Sequence, residues 1–263
     1  MRARKSGQTG VRMNYQTAFC WEKGRKESFR ERENRPERAK DRNGDSLLLQ
    51  QIQTRRGRML LAVVSDGIGG LEEGENASGF LVGELKRWFY GEALEIAGRS
   101  CLRKRGLIRM EKSLARRIYN AAGSLRAYGE RENRRLGATL SAVLLWKRRY
   151  LICSVGDSRI YLIGRRENRV LTWDDTDRNG RLTRCIGSMG WYPMQSIKGR
   201  LGRGKLLLLC TDGFWRKLQD EEQEAARKKG GEGEMEMWLE RMCVKLRSRG
   251  ERDDITAILI RIK

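Results

Sequence analysis

The sequence predicts an α+β protein whose sheets are mostly antiparallel and pack against pairs of helices. Its segments come in the order strands, two long helices, many strands, one helix and a last strand. Strands outnumber crossover helices, which disfavours a doubly wound parallel sheet. A length of 263 residues suits one domain with a sizeable core. Since no internal repeat or boundary is evident, we expect residues 1–263 to form a single domain.

Each element is predicted from its residue pattern. Short apolar runs rich in β-branched, leucine or aromatic residues predict strands. These lie at about 15–21, 46–52, 59–65, 138–146, 149–155, 158–163, 169–173, 205–211 and 255–262. Apolar residues at helical spacing predict helices at 75–97, 107–129 and 234–247, the second marked by Ile108, Leu114 and Ile118.

The charge of the chain is strongly positive. The 56 Lys and Arg residues against 34 Asp and Glu residues give a net charge of +22. This charge allows a polyanionic partner such as nucleic acid, an anionic membrane surface or an acidic protein, but identifies none of them. Residues 22–42 alternate both signs with few apolar residues, which favours a solvated charged loop over a binding arm.

Cysteine usage and hydropathy predict a soluble cytoplasmic protein. The six cysteines are scattered without a C-x-x-C pair, as is typical of reduced thiols. The basic first residues lack the apolar core of a signal peptide. No apolar run approaches the roughly 18 residues of a membrane span.

The chain contains no histidine, which limits its possible chemistry. Ser–His and Cys–His catalysis are excluded, and a zinc site is disfavoured because paired cysteines are missing too. Chemistry must therefore come from carboxylates, a metal ion, lysine or arginine, if the chain is an enzyme at all.

Acidic residues stand at the ends of several predicted strands. Each one alone is more typical of a turn or a helix cap than of a ligand. Convergent carboxylates repel each other by about 4 kcal/mol per close pair, so a cluster requires a cation. Oxygen ligands without histidine or cysteine select magnesium or manganese. The acidic positions are Asp45, Asp66, Asp157, Asp212 and the pair Asp253–Asp254.

Three glycines follow Asp66 closely. The apolar run 60–64 predicts a buried strand, and Gly67, Gly69 and Gly70 then allow a positive φ or a close backbone approach. This stretch by itself has two interpretations. Asp66 is either a residue of a tight strand-to-helix turn, or a ligand at a sheet edge with a bare backbone carbonyl beside it.

Six short motifs in a fixed order resemble the type 2C metal-dependent protein phosphatases. The resemblance extends from about Tyr15 to Ile262 and implies a β-sandwich of two antiparallel sheets flanked by helix pairs (α-β-β-α). It also implies a two-metal site at one edge. The motifs are "N-x-D-S" (43–46), "SDGIGG" (65–70), "GATL" (137–140), "VGDSR" (155–159), "TDGFW" (211–215) and "RDDIT" (252–256).

The resemblance implies hydrolysis of phosphoserine and phosphothreonine in proteins by a hydroxide that bridges two Mn²⁺ or Mg²⁺ ions. Asp66 would bridge the ions, and the Gly67 carbonyl would bind one of them. Asp212 and Asp253 would complete the coordination of the second ion, while Asp45 would act mainly through metal-bound water. Asp45 and Asp66 are thus the expected catalytic residues.

The sequence departs from the family pattern near the substrate phosphate. The family's phosphate-binding arginine, five residues before the first aspartate, is Lys40 here. Lysine supplies the charge without the bidentate fork of arginine, and Arg42 or Arg38 is a candidate substitute. The expected phosphate-binding residues are therefore Lys40 and Arg42.

Further departures lie near the metal ions. The family's asparagine after the last metal aspartate is Asp254, and an acid that can help to hold a third, weaker ion is replaced by Arg216. Asp157 is the remaining candidate ligand for that third ion. One hypothesis is that Arg216 pairs with Asp157 in place of the ion, and the alternative is that Arg216 points to solvent.

Two other functions remain as alternatives. One is a catalytically impaired phosphatase-like sensor or scaffold, suggested by Lys40 and Arg216. The other is a nucleic-acid-binding protein, suggested by the charge but disfavoured by an aromatic content of only 7%. Expected partners are phosphoprotein substrates, including acidic ones.

Overall fold

The structure is a computed structural model that describes residues 15–24, 43–68, 71–99, 104–165, 168–188 and 193–263. Most of the charged segment 22–42 lies outside the described residues, and so do Lys40, Arg42 and Arg38. Gly69 and Gly70 lie outside them as well.

Twelve strands and six α-helices are described. The strands are β1 (Tyr15–Glu22), β2 (Asp45–Thr54), β3 (Gly57–Ile68), β4 (Gly137–Ala138), β5 (Leu140–Trp146), β6 (Arg149–Val155), β7 (Arg159–Ile163), β8 (Asn168–Val170), β9 (Ile186–Gly187), β10 (Gln195–Arg200), β11 (Leu206–Cys210) and β12 (Ile255–Ile262). The helices are α1 (Leu71–Trp88), α2 (Leu94–Arg99), α3 (Lys104–Arg131), α4 (Asp212–Trp215), α5 (Asp220–Arg227) and α6 (Glu232–Ser248), with a π-helical turn at Phe89–Ala93 between α1 and α2.

The strands form two sheets, and every strand pairing described is antiparallel. One sheet has the order β1-β12-β11-β7-β8. The other runs β10-β6-β5-β3, where β2 pairs with the free side of β3 and the short strands β4 and β9 continue from its end. The predicted pair of antiparallel sheets is confirmed.

Helices cover the outer face of each sheet, so the layers run α-β-β-α. Strand β3 shows why its apolar run is continuous, since its side chains alternate between two cores. Leu60, Ala62 and Val64 lie in the core between the sheets. Met59, Leu61 and Val63 lie in the core beneath α1 and α3. A third core packs α6 against the other sheet through Trp238 and Leu239.

Some elements differ from the predicted ones. Strand β10 is missing from the predictions because Ile197 is its only apolar residue, as expected of a strand that pairs on one side only. Helix α4 is a single turn, and α5 has few apolar residues, so neither shows helical periodicity. Within the described residues, no helix is both long and apolar enough to cross a membrane.

Candidate metal centre

The first two predicted ligands face each other across one strand pair. Asp45 begins β2, Asp66 lies near the end of β3, and the antiparallel register places them directly opposite. Opposite residues have Cβ atoms about 5 Å apart, so two ionised carboxylates here repel each other. The turn before β2 is fixed, because the Asp45 N–H donates to the Asn43 side chain at 2.8 Å.

The other two predicted ligands lie at one end of the second sheet. Asp212 is the first residue of α4, two positions after the end of β11, and Asp253 lies two positions before the start of β12. Because β11 and β12 are antiparallel neighbours, the end of one and the start of the other share an edge. The Thr211 N–H donates to the Thr256 carbonyl at 3.0 Å and holds these two segments together.

Thr211 also joins the two sheets at the site. Its hydroxyl donates to the Asp45 carboxylate at 2.8 Å, and both residues are buried. This bond fixes the position of Asp45 relative to Asp212. Thr211 is missing from the residues singled out in the sequence, although its place directly before Asp212 in "TDGFW" is a signal for it.

The "GATL" motif holds the backbone of Asp66. The Thr139 N–H donates to the Asp66 carbonyl at 2.8 Å, and the Asp66 N–H donates to the Thr139 hydroxyl at 2.9 Å. A further bond of 2.7 Å joins the hydroxyl groups of Thr139 and Ser158, the residue after Asp157. Three separate motifs of the sequence therefore meet at Asp66.

Gly67 is required by a close backbone approach. A Cβ atom on Gly67 would lie 2.0 Å from the carbonyl oxygen of Gly74 in the first turns of α1. Conversely, a Cβ atom on Gly74 would lie 2.5 Å from the carbonyl oxygen of Gly67. Gly67 does not have a positive φ, so of the two uses of glycine that the sequence allows, the close approach applies here.

Burial and neighbouring charges raise the pKa values of three of the acids, Asp45, Asp66 and Asp212. Burial raises the pKa of Asp45 to about 7, and the charges of Asp254 and Asp212 add to this effect. Burial and the charge of Asp253 raise the pKa of Asp212 to about 7. Burial and the charges of these neighbours hold the pKa of Asp66 well above its ordinary value. These three acids thus lie in one electrostatic cluster that disfavours their ionisation.

One positive side chain lies within this cluster. Arg216 follows Asp212 by four residues, which places the two side chains on the same face of the helical turn. Its guanidinium forms an ion pair with Asp212 and a second one with Asp253 at 3.3 Å. Arg216 therefore bridges the two acids that are predicted to complete the coordination of the second metal ion.

The donor atoms fit a hard divalent cation. They are carboxylate oxygens with a neighbouring backbone carbonyl, the set that Mg²⁺ and Mn²⁺ prefer. Over the described part of the chain, no three acidic or cysteine side chains form a compact ligand set. Instead, Arg216 pairs with Asp212 and Asp253, and the Thr211 hydroxyl bonds to Asp45. The mutual repulsion of these acids is still what a divalent ion would relieve.

The region that carries these acids matches a known family. The family model described as Protein phosphatase 2C matches residues 35–259. The chain belongs to the protein phosphatase 2C family. The Serine/threonine phosphatase stp of Listeria welshimeri is 26% identical over 222 residues, which cover 76% of this chain and 83% of that protein. The stp protein of Listeria monocytogenes matches to the same extent.

Solved structures of phosphatases share the fold. Serine/threonine phosphatase Stp1 from Staphylococcus aureus superposes with a TM-score of 0.75 at 21% identity, and the match covers 100% of both chains. The S. agalactiae serine/threonine phosphatase gives 0.74 at 18% identity over 95% of this chain and 100% of that chain. The catalytic domain of PstP, in complex with 2 manganese ions, gives 0.70 at 22% identity over 95% and 99%.

One family-based hypothesis is wrong. The ion pairs of Arg216 are with Asp212 and Asp253 rather than with Asp157, and the side chain does not simply point to solvent. Near Asp157 the structure instead shows a bond from the Trp215 indole N–H to the Asp157 backbone carbonyl at 2.9 Å. A third ion at Asp157 stays a prediction.

Asp254, which replaces the asparagine of the family, has a structural role. Its two carboxylate oxygens accept the backbone N–H groups of Gly24 and Gly44, each at 2.6 Å. These glycines lie on either side of the segment 25–42, so Asp254 ties together the two ends of that segment. An asparagine offers an oxygen to one N–H but turns its own N–H₂ group toward the other.

We expect Asp254→Asn to lower the free energy of unfolding by about 2 kcal/mol, because a charge-assisted hydrogen bond contributes roughly 1.5–3 kcal/mol. Urea unfolding followed by circular dichroism measures the change. Glu240→Gln on the exposed face of α6 is the control, since it removes the same charge away from the site. Equal unfolding midpoints for the two variants would contradict the role assigned to Asp254.

Proposed function

We propose that this protein is a phosphoric monoester hydrolase that removes phosphate from phosphoserine and phosphothreonine in proteins, using two Mn²⁺ or Mg²⁺ ions. The observation that carries the proposal is the cluster of Asp45, Asp66, Asp212 and Asp253 where the two sheets meet. Its location in a protein phosphatase 2C chain supports a metal centre. The complex of PstP with 2 manganese ions supports the number of ions.

In this proposal the acids divide the binding of the ions. Asp66 and the Gly67 carbonyl would hold one ion, and Asp66, Asp212 and Asp253 would hold the second. When bound, the ions supply an activated water and neutralise the negative charge that develops at phosphorus. Asp45, held by the Thr211 hydroxyl, orients water toward the centre. Lys40 and Arg42 are proposed to bind the substrate phosphate.

The net positive charge of the chain favours acidic phosphoproteins as substrates. With a net charge of +22, attraction to an acidic peptide raises the rate of encounter and weakens as salt is added. A phosphothreonine peptide with acidic flanking residues is therefore expected to be a better substrate than a basic one. The advantage should shrink between about 10 mM and 500 mM salt, measured as kcat/KM.

The direct test is hydrolysis of a phosphothreonine peptide by the purified chain. We expect phosphate release with manganese or magnesium, and loss of release when a chelator is added. Restoring the metal in excess over the chelator should restore the activity. Equal release with and without chelator would exclude the metal-dependent mechanism, and no release under any condition would favour a phosphatase-like sensor.

A further inference from the structure

We infer that Arg216 is an internal cation that competes with the divalent ion for Asp212 and Asp253, so that this second site binds metal more weakly than the first. The inference rests on the proposed two-ion centre. It assigns Arg216 a role in metal affinity, and it predicts unequal affinities at the two sites.

The position of Arg216 follows from the sequence. Helix α4 begins at Asp212 and ends at Trp215, so the side chain at 216 returns one turn later to the face of Asp212. The Arg216 N–H donates to the Asp212 carbonyl at 2.9 Å, which extends that turn. The guanidinium then reaches both carboxylates, one from each segment at the edge of the sheet. It thereby offsets part of their mutual repulsion.

Arg216 is held loosely enough to be displaced. Its side chain is 46% exposed. Among the described residues its guanidinium forms ion pairs with Asp212 and Asp253 alone, and the more distant charges of Glu251 and Asp157 also act on it. Arg159, a neighbouring arginine, is a useful contrast. Its guanidinium stacks 3.4 Å from the ring centre of Trp215 and bonds to Asp174 and Tyr161. Arg159 is therefore fixed, whereas Arg216 can swing into solvent when a metal ion arrives.

The competition has a predictable size. Each partly exposed ion pair changes an equilibrium constant by up to about fivefold. A metal ion at Asp212 and Asp253 must release two such pairs and then tolerate a nearby guanidinium. We therefore expect Arg216 to weaken binding at the second site by about tenfold.

The test is a titration of the full chain with Mn²⁺, in which calorimetry measures the number of bound ions and their dissociation constants. Wild type is expected to bind two ions with unequal dissociation constants, and Arg216→Ala should lower the weaker constant by about tenfold. Arg216→Gln, which keeps most of the side chain but no charge, should do the same. Arg87→Ala is the control, because it removes an arginine from an ion pair with Glu84 near the end of α1.

The melting temperature in chelator provides a second measurement. Without metal, Arg216→Ala leaves Asp212 and Asp253 facing each other, so its melting temperature should fall by about 2–4 °C. In saturating manganese the difference should vanish or reverse. A side chain that merely stabilised the fold would lower the melting temperature in both conditions and leave the dissociation constants unchanged.

The outcomes separate the inference from the proposed function. Two bound ions with the same constants in wild type and in both Arg216 variants would overturn the role of Arg216 while leaving the metal centre intact. Weaker binding in the variants would overturn it too. If neither wild type nor the variants bind Mn²⁺, the two-ion centre itself is wrong and the inference falls with it.

Discussion

Asp66→Asn should abolish hydrolysis of a phosphothreonine peptide in the presence of manganese. A neutral amide in place of the proposed bridging carboxylate weakens the binding of both metal ions at once. The loss of activity should therefore exceed that caused by any other single substitution in the cluster. We expect turnover to fall at least about 1,000-fold, of the order found when a central electrostatic group of an active site is removed. Initial rates of phosphate release measure the effect.

The stability of the same variant separates a chemical role from a structural one. Burial and the neighbouring acids raise the pKa of Asp66, so its ionised form costs stability in the folded state. That cost is absent at low pH and grows as the pH rises above the pKa of the unfolded chain. At pH 8 in chelator, Asp66→Asn should therefore melt at the same temperature as wild type or higher.

Asp220→Asn, at an exposed position in the first turn of α5, is the matched control and should change neither measurement appreciably. Wild-type turnover in Asp66→Asn would exclude the bridging role. Loss of activity together with a lower melting temperature would point to misfolding as its cause.

The fold was predictable where burial leaves a clear run of apolar residues in the sequence. The middle of β3 and nearly all of β5, β6, β11 and β12 are buried, so each appears in the sequence as an apolar run. Strand β10 lies at a sheet edge and consists mostly of polar residues. Its pairing with β6 depends on tertiary contacts, which a local sequence pattern does not predict. The π-helical turn Phe89–Ala93 likewise leaves the helical pattern of 75–97 nearly unchanged.

The candidate site was predictable as a set of acids at strand ends, but its contacts were only partly so. The pairing of Arg216 with Asp212 follows from their spacing of four residues, a signal that was present in the sequence. The bonds of Asp254 to Gly24 and Gly44 join positions more than two hundred residues apart. Only the tertiary structure brings such positions together, so this role could not be predicted from the sequence.

Gly213 should be among the least replaceable residues of the chain. A Cβ atom at this position would lie 2.1 Å from the Asp254 carbonyl oxygen and 3.2 Å from the Cβ atom of Asp253. These atoms belong to the backbone or are fixed to it, so no flexible side chain can move aside. The close approach exists because the start of α4 packs directly against the segment that leads into β12.

We expect Gly213→Ala to lower the free energy of unfolding by about 3 kcal/mol or more, the upper range for an added group in a packed site. For a chain of this size, the melting temperature should fall by about 6–12 °C. Gly123→Ala in the middle of α3 is the control, because a Cβ atom there meets nothing within 4 Å. That exposed helical position should gain up to about 1 kcal/mol from the same substitution.

The two alanine substitutions are thus expected to change stability in opposite directions, and differential scanning calorimetry compares their melting temperatures directly. Gly213→Ala should also weaken manganese binding, since relief of the clash pushes Asp212 away from Asp253. If Gly213→Ala melts within about 2 °C of wild type and binds manganese equally well, the two segments are not packed as the structure has them. The proposed ligands Asp212 and Asp253 would then need a different arrangement.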